Sequence, residues 1–310
     1  MTTPAAEHLF CAGHTACAGC GQAVAARLVI DIAGKNTMIA NNTGCLEVFS
    51  TKYPESSWGV PWIHSLFENA AAVASGIEAA LKYLGTKDKI NVICQAGDGG
   101  TADIGLQALS GMWERGHDIL SICYDNEAYM NTGAQRSGLT PFETSTSTTP
   151  IGSQSAGNPR PKKPMPEIAV AHGLAYVATA SVGYLRDIEN KVKKAISIKG
   201  PKYLQIHVPC PLGWRHESQL TYDIAKLAVE TGLYPLIEYE NGKLTNARKL
   251  SQIKPVEEYL KPQGRFKHIV SNPEQLQQVQ AIANNNIEKY GLKVVPVNNP
   301  QTAGAQAVEK

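Results

Sequence analysis

The sequence predicts an α/β protein of three layers, in which a mostly parallel sheet lies between two layers of helices. Between Gly21 and Gly213, helical stretches alternate with short apolar runs rich in Val and Ile. This alternation is typical of a parallel sheet that is covered on both faces. A chain of 310 residues with 43% hydrophobic and 18% charged residues can bury a full core. We therefore expect an α/β domain over residues 1–213 and a C-terminal extension over residues 214–310.

Helices and strands of the first domain can be placed from the period of their apolar residues. Predicted helices cover residues 22–33, 67–84, 103–115 and 184–198, and predicted strands cover residues 37–41, 89–95, 118–124 and 203–208. Residues 127–166 have no clear period and carry a Thr-rich run and several prolines, as a linker would. Because this segment starts where a strand ends, and α/β proteins bind ligands there, we favour a functional loop.

The alternation stops after residue 213. The extension holds a helical piece at residues 222–230, a short apolar run at 236–239 and a polar helix from about residue 273. These pieces offer a poor core of their own, so we expect the extension to wrap around the domain or around a neighbouring subunit. Residues 298–310 are expected to be mobile.

Composition argues against several classes of protein. The formal charge is +2 and the basic residues are scattered, which gives no reason to expect nucleic acid as a partner. The N-terminus has no secretory signal pattern, and no apolar run approaches the roughly 20 residues that cross a bilayer. We therefore expect a cytoplasmic protein without membrane contact. An odd total of seven cysteines in such a chain favours metal or redox chemistry plus buried thiols over disulfides.

A glycine-rich turn at residues 97–100 follows an apolar strand directly. Backbone N–H groups at the start of the next helix can hold phosphate oxygens, and glycine lets the ligand approach closely. Asp98 in this turn is placed to bind a divalent cation that bridges a diphosphate. The side chain of Asn126 and the carbonyl of Ala128, at the end of the next strand, offer the oxygen ligands that Mg²⁺ prefers. The alternative is that Asp98 only caps the helix.

The cysteines suggest a second site. Cys17 and Cys20 form a Cys-x-x-Cys pair, while Cys45 and Cys210 stand alone after predicted strands. A zinc half-site, a redox dithiol and a pair of core thiols all fit the close pair. An iron-sulfur cubane accepts thiolates from scattered places, whereas a zinc site usually takes a second close pair. Spacing alone does not decide between a cluster, a zinc half-site, a redox dithiol and core thiols. Two further cysteines, Cys94 and Cys123, lie inside apolar strands and are expected in the core, and Cys11 is ambiguous.

Several motifs together resemble the beta subunit of pyruvate:ferredoxin oxidoreductase and of related 2-oxoacid:ferredoxin oxidoreductases. The resemblance runs from about Gly13 to at least Phe266, with the cysteine and turn motifs in the family's order. The matching strings are Cys17-Ala18-Gly19-Cys20-Gly21, Thr43-Gly44-Cys45-Leu46-Glu47, Pro61-Trp62-Ile63-His64, Phe67-Glu68-Asn69-Ala70, Gly97-Asp98-Gly99-Gly100-Thr101, Tyr124-Asp125-Asn126-Glu127-Ala128-Tyr129-Met130-Asn131-Thr132-Gly133 and Pro209-Cys210.

The resemblance implies a thiamine-diphosphate-binding fold with a four-iron, four-sulfur cluster beside the cofactor. By resemblance the cluster is held by Cys17, Cys20, Cys45 and Cys210, and Mg²⁺ by Asp98, Asn126 and the carbonyl of Ala128. The implied cofactor contacts are Gln22, Cys45, Gly97, Asp98, Gly99, Gly100, Asn126, Glu127, Ala128, Tyr129, Met130 and Asn131. Asn131 is also expected to face the substrate as the catalytic residue. Gln22 stands where some members of the family have Glu.

The reaction implied is the oxidative decarboxylation of pyruvate, with coenzyme A taking the acyl group and ferredoxin taking the electrons through the cluster. An oxalate:ferredoxin oxidoreductase, which releases only carbon dioxide and uses no coenzyme A, is the main alternative. Enzymes of this family that act on branched-chain 2-oxoacids, aryl-pyruvates or 2-oxoglutarate are further alternatives. A non-catalytic iron-sulfur carrier is a different class, against which the diphosphate turn argues. The cluster cysteines argue against a thiamine decarboxylase without redox chemistry.

The family also implies partner subunits. Thiamine enzymes activate the cofactor with a carboxylate on a second α/β domain, and this chain has room for one such domain. We therefore expect an alpha subunit to supply that carboxylate, and gamma- and delta-type subunits to carry further clusters. The chain alone is then expected to be inactive.

Overall fold

Strands and helices alternate through most of the computed structural model, which describes residues 8–52 and 54–294. The strands in these ranges are β1 (Thr37–Asn41), β2 (Trp62–His64), β3 (Asn91–Gly97), β4 (Leu120–Asp125), β5 (Ile151–Gly152), β6 (Ser155–Ala156), β7 (Tyr176–Ser181), β8 (Lys202–His207), β9 (Ile237–Glu240) and β10 (Lys243–Ala247). The helices are α1 (Gly21–Ala33), α2 (Cys45–Ser50), α3 (Ala70–Tyr83), α4 (Asp98–Ala102), α5 (Leu106–Glu114), α6 (Met165–Ala171), α7 (Leu185–Ser197), α8 (Pro211–Trp214), α9 (Thr221–Glu230), α10 (Val256–Leu260), α11 (Lys267–Val270) and α12 (Pro273–Lys289). Short 3-10 turns lie at Lys87–Lys89, Ser218–Leu220 and Gly264–Phe266.

One sheet organises the described chain, with strand order β10-β9-β7-β8-β4-β3-β1-β2. The strands from β7 to β2 in this order pair in parallel, and β9 and β10 add an antiparallel edge beside β7. Because the parallel strands run the same way, their carboxyl ends meet at one edge of the sheet, where ligand sites of α/β proteins form.

The two faces of the sheet carry separate hydrophobic clusters. Along β3, Ile93 contributes to the cluster that packs under α1 and α7, while Val92 and Cys94 face α3 and α5. Successive side chains of a strand point to opposite faces, so a strand buried on both sides reads as a continuous apolar run. Cys94 and Cys123 are buried in the second cluster, which confirms the prediction that they are core residues. The predicted three-layer α/β fold is confirmed.

Most predicted elements lie within a few residues of the observed ones. The predicted helix over residues 103–115 is interrupted, because α4 starts at Asp98 and its backbone departs from helical geometry at Asp103, before α5 begins. The predictions did not include β7, a central strand, or β2 at the edge. The sequence of β7, Tyr-Val-Ala-Thr-Ala-Ser, mixes apolar and small polar residues, which weakens the apolar signal although all six residues are buried.

The C-terminal part contributes more than the sequence suggested. Strand β9 extends the main sheet by pairing with β7, and a third hydrophobic cluster forms around Trp214, Tyr259 and Phe266. The expectation of a poor core after residue 213 is therefore wrong. The division into domains at residue 213 remains a prediction, and the expected mobile end, residues 298–310, lies outside the described residues. In the described ranges, helices are all too short or too polar to cross a membrane.

Candidate cofactor and metal site

Four chain segments with candidate ligands meet at the carboxyl edge of the sheet. Strand β3 ends at Gly97 and leads into Asp98, and its parallel neighbour β4 ends at Asp125 and leads into Asn126. Strands β1 and β8 are parallel members of the same sheet and precede Cys45 and Cys210. The strand order therefore explains why residues far apart in sequence share one site.

Three polar groups converge between the ends of β3 and β4. One terminal atom of the Asn126 amide lies 2.8 Å from Oδ1 of Asp98 and 2.8 Å from the carbonyl oxygen of Ala128. In a cation-free site this atom is the nitrogen, which donates a hydrogen bond to each oxygen. Beside a cation the Asn126 amide can rotate so that its oxygen takes the place of this nitrogen. Asp98, Asn126 and Ala128 then offer three oxygen ligands. This donor set fits the hard, oxygen-seeking Mg²⁺ ion.

Asp98 is buried, with only 1% of its surface exposed. Burial and the neighbouring carboxylate of Asp125 raise the pKa of Asp98 well above its ordinary value, against the effect of a hydrogen bond that the Ser137 hydroxyl donates to its Oδ2. A bound divalent cation would stabilise the charged carboxylate that burial disfavours. A cation at this place would therefore offset the cost of ionising Asp98.

The glycines of the turn have different neighbours. A Cβ atom at Gly99 would lie 2.3 Å from Cε1 of Tyr129, and one at Gly100 would lie 2.9 Å from Nδ2 of Asn42. At Gly97, by contrast, no described atom outside residues 96–98 lies within 4 Å of such a Cβ. The close packing at Gly99 and Gly100 therefore requires glycine. Gly97 instead borders open space into which a ligand can come close.

These segments line one cleft. With one exception it contains every residue predicted to contact the cofactor. The lining residues are Gln22, Thr43, Gly44, Cys45, Phe67, Gly97, Asp98, Gly99, Gly100, Asn126, Ala128, Tyr129, Met130, Asn131 and Thr132. Gln22 is 3% exposed, and its Oε1 has no hydrogen-bond partner among the described residues, so it is free to accept a bond from a ligand. Asn131 is exposed, and its role toward the substrate stays a prediction.

Glu127 is the exception, and its predicted contact with the cofactor stays a prediction. Its carboxylate does not line the cleft but accepts from Nζ of Lys162 at 2.7 Å and from Nη2 of Arg265 at 2.6 Å. A buried carboxylate needs such cations, and they come from the long loop and from the C-terminal part of the chain. These cations hold the pKa of Glu127 well below its ordinary value, although burial alone would raise it.

The four candidate cluster cysteines lie near one another. The Cys20 N–H donates to the carbonyl of Cys17 at 3.0 Å, and the Gly21 N–H donates to the carbonyl of Pro209, next to Cys210, at 3.3 Å. Burial, and then the other three thiols, raise the pKa of Cys45 to about 12. Within residues 8–52 and 54–294, no three His, Cys, Asp or Glu side chains are placed to hold a single metal ion. The metal roles of the four cysteines remain a proposal.

Sequence reasoning missed several residues that build the site. Asn42 follows β1 and donates to the carbonyl of Gly100 at 3.2 Å, and a polar residue just after an apolar strand was the signal that had identified Asn126. Ser137 and Lys162 lie in the loop without a period, which offered no spacing to read. Arg265 is remote in sequence, and nothing local marked it.

Comparisons with known proteins find a matching family and similar proteins. Residues 42–206 match the family described as thiamine pyrophosphate enzyme, C-terminal TPP binding domain. The chain is 56% identical over 296 residues to pyruvate synthase subunit PorB of Methanosarcina barkeri, a match that covers 94% of this chain and 100% of that one. PorB of Pyrococcus furiosus is 49% identical over 296 residues, with 86% and 89% covered.

One further similar sequence and one similar solved structure were found. The ketoisovalerate oxidoreductase subunit VorB of Pyrococcus abyssi is 50% identical over 277 residues, covering 87% of this chain and 88% of that one. Among solved structures, a 2-oxoglutarate:ferredoxin oxidoreductase from Magnetococcus marinus matches with a TM-score of 0.55 at 22% identity, covering 69% and 77% of the two chains. At that identity the structural match supports the fold alone.

Proposed function

This chain belongs to the family of 2-oxoacid:ferredoxin oxidoreductase beta subunits that includes PorB and VorB, and from this premise we propose that it binds thiamine diphosphate through Mg²⁺ and catalyses pyruvate oxidation with partner subunits. The proposal includes a cytoplasmic location, an alpha subunit that completes the active site, gamma- and delta-type subunits with further clusters, and ferredoxin and coenzyme A as partners.

The observation that carries the proposal is the convergence of Asp98, Asn126 and the carbonyl of Ala128 within 2.8 Å contacts at the carboxyl edge of the sheet. In the proposal these groups hold Mg²⁺, and the turn at Gly97 to Gly100 receives the diphosphate. Thiamine diphosphate, when bound, supplies the carbanion chemistry that attacks the carbonyl of a 2-oxoacid. The chain's own residues bind and orient the cofactor, with Gln22, Cys45, Tyr129, Met130 and Asn131 along the cleft.

We further propose that Cys17, Cys20, Cys45 and Cys210 hold a four-iron, four-sulfur cluster. Cys45 supports this assignment because it lines the cofactor cleft and also interacts with the other three thiols. A cluster there would lie beside the cofactor, where it can accept electrons. Scattered thiolates from different segments are typical ligands of such clusters.

The test is anaerobic purification of the assembled complex, with iron, acid-labile sulfide, zinc and thiamine measured on the same sample. Comparing the wild-type complex with one carrying Cys210→Ser isolates this chain's cluster from those of other subunits. We expect the variant to lose about four iron and four sulfide per complex, while Cys11→Ser, at an exposed cysteine, loses none. Loss of one zinc and no sulfide would refute the cluster, and absence of thiamine from the wild type would refute the cofactor.

The substrate is a separate question. Similarity to PorB favours pyruvate, and similarity to VorB makes 2-oxoisovalerate a second candidate. Oxalate remains an alternative that the sequence raised. The assembled complex should be assayed with each acid, with and without coenzyme A, by reduction of ferredoxin. We expect the fastest reduction with pyruvate, dependent on coenzyme A, whereas turnover of oxalate without coenzyme A would contradict the pyruvate assignment.

A further inference from the structure

Glu127 occupies the position between two proposed magnesium ligands, Asn126 and Ala128. Its backbone has φ of 69°, in the left-handed region that residues other than glycine rarely adopt. Such a conformation persists where the surrounding structure fixes it. The direction in which the Asn126 side chain and the Ala128 carbonyl point therefore depends on what holds Glu127.

Two cations from different parts of the chain hold the Glu127 carboxylate. Nζ of Lys162 lies 2.7 Å from Oε1 and also bonds Oδ2 of Asp125 at 2.9 Å. Nη2 of Arg265 donates to Oε2 at 2.6 Å. Arg265 is 1% exposed and comes from the 3-10 turn between α10 and α11, in the C-terminal part of the chain. Lys162 is shared by two carboxylates, whereas Arg265 pairs with Glu127.

Arg265 also acts on the other side of Asn126. Its guanidinium carbon lies 3.6 Å from the centre of the Trp214 ring, and the Trp214 indole N–H donates to the backbone carbonyl of Asn126 at 2.7 Å. Trp214 is the last residue of α8, which starts directly after Cys210. One guanidinium group thus fixes the partner of the Asn126 carbonyl and the side chain of Glu127.

We propose that Arg265 is a positioning residue for the magnesium site, which holds the Asn126 to Ala128 turn in its metal-binding shape through Trp214 and Glu127. The inference rests on the proposed function, since it presupposes that this turn binds Mg²⁺. It makes the C-terminal part of the chain a component of the cofactor site. Arg265 touches neither the cleft nor the ligands directly, so its effect passes through other residues.

The test is to replace Arg265 in the full chain within the assembled complex and to measure the Mg²⁺ concentration that half-saturates thiamine diphosphate binding. Mn²⁺ in place of Mg²⁺ gives a second readout, the electron paramagnetic resonance spectrum of the bound ion. For Arg265→Gln we expect affinity for the ion to fall about 10- to 100-fold, as when outer partners of metal ligands are lost. Arg265→Lys should lie between this variant and the wild type, because lysine keeps the charge but lacks the planar group that stacks on Trp214.

Lys202→Met is the matched control. Lys202 is also buried and pairs with Asp118 at 2.5 Å, but it starts β8, at the opposite edge of the sheet. We expect this variant to lose thermal stability and keep the wild-type affinity for the ion. If Arg265→Gln does not fold, Arg265→Gln combined with Glu127→Gln removes both charges and restores a neutral interior, and the lowered affinity should remain.

The outcomes distinguish a failure of the proposed function from a failure of the inference about Arg265. If the wild-type complex binds neither Mg²⁺ nor thiamine diphosphate, the proposed function fails. If the wild type binds both, and the Arg265 variants match Lys202→Met in half-saturating concentration and Mn²⁺ spectrum, Arg265 is merely structural and the inference is overturned.

Discussion

Asp98 is almost fully buried, and the carboxylate of Asp125 adds to the cost of ionising it. The folded chain therefore holds a proton on Asp98 at pH values where the unfolded chain has released it. Between these two pKa values, the folded state binds more protons, so its stability falls as the pH rises. This cost is tolerated because the same carboxylate serves the proposed cation.

Asp98→Asn should for that reason stabilise the cation-free chain while removing its function. At pH 7 we expect the free energy of unfolding to rise by about 1 kcal/mol or more, since one pKa unit corresponds to about 1.4 kcal/mol. The gain should disappear below the pKa of an unfolded aspartate, about 3.9. Urea unfolding in a chelator at several pH values measures this. The same variant in the complex should lose Mg²⁺-dependent cofactor retention, and a variant that is less stable yet retains the cofactor would contradict both parts.

Gly99 and Gly97 permit a paired test within a single turn. Gly99→Ala forces a methyl group into the ring of Tyr129 and should lower the free energy of unfolding by about 1–3 kcal/mol, the usual cost of overpacking. Gly97→Ala adds its methyl to open space at an ordinary φ of −73° and should leave stability unchanged. If the diphosphate approaches Gly97 as proposed, only cofactor affinity falls in that variant. Equal stability of the two variants would show that the ring of Tyr129 yields freely.

Individual site residues were predictable where a strand end marked them. Asp98 and Asn126 follow apolar strands, and parallel strands bring such ends together. Ser137 and Arg265 gave no such signal, because their contacts arise from tertiary packing between segments distant in sequence. The ion pairs of Glu127 gave no signal for the same reason, since the cations that hold its carboxylate lie 35 and 138 positions along the chain.

At the scale of elements, the structure of residues 127–166 could not be predicted from the periodicity of apolar residues. It forms little regular structure, yet it returns to the site at three points: Ser137 donates to Asp98, Thr140 donates to the carbonyl of Glu127 at 2.7 Å, and Lys162 pairs with Asp125. Its order comes from side-chain hydrogen bonds and ion pairs, which leave no repeating pattern in the sequence. The helices and most central strands were predictable because their apolar faces do repeat.

Lys162→Met tests whether this segment is fastened by its ion pairs. Removing the cation leaves two buried carboxylates, Asp125 and Glu127, with reduced compensation, and breaking a buried pair in this way costs about 3–5 kcal/mol. Lys193→Met, which breaks an exposed pair with Glu189 on α7, should change stability by less than about 0.5 kcal/mol. Denaturant unfolding of the two variants gives the comparison. A loss below 1 kcal/mol for Lys162→Met would show that the loop is held by other contacts.

At the scale of the whole molecule, the strand order and the third hydrophobic cluster determine where the site lies and what completes it. The antiparallel pair β9 and β10 closes one side of the sheet, and the cluster around Trp214 packs against Met130, which follows the Asn126 to Ala128 turn. The front of the cleft is different. Among the described residues that line it, Asp98 is the one carboxylate, and the proposed metal site occupies it.

Apolar side chains are exposed on the segments that border the cleft. Leu66, beside the cleft residue Phe67, is 64% exposed, Val48 on α2 is 48% exposed and Ile104 after α4 is 54% exposed. Large apolar side chains exposed beside a binding cleft are candidates for contact with another protein. Among the described residues that line the cleft, none besides Asp98 could serve as an activating carboxylate, and in the proposal a partner subunit provides one.

The isolated chain should therefore show no decarboxylation of pyruvate, whereas the complex with the proposed alpha subunit should show turnover. Leu66→Asp should reduce recovery of the complex on size exclusion and lower activity in parallel, because it places a charge at the proposed interface. Tyr83→Asp, at a side chain that is 92% exposed on the opposite end of α3, provides the control and should assemble normally. Both variants should keep the thermal stability of the isolated chain, since neither side chain is buried within it. Release of carbon dioxide by the purified chain alone would mean that the activating group lies within these 310 residues.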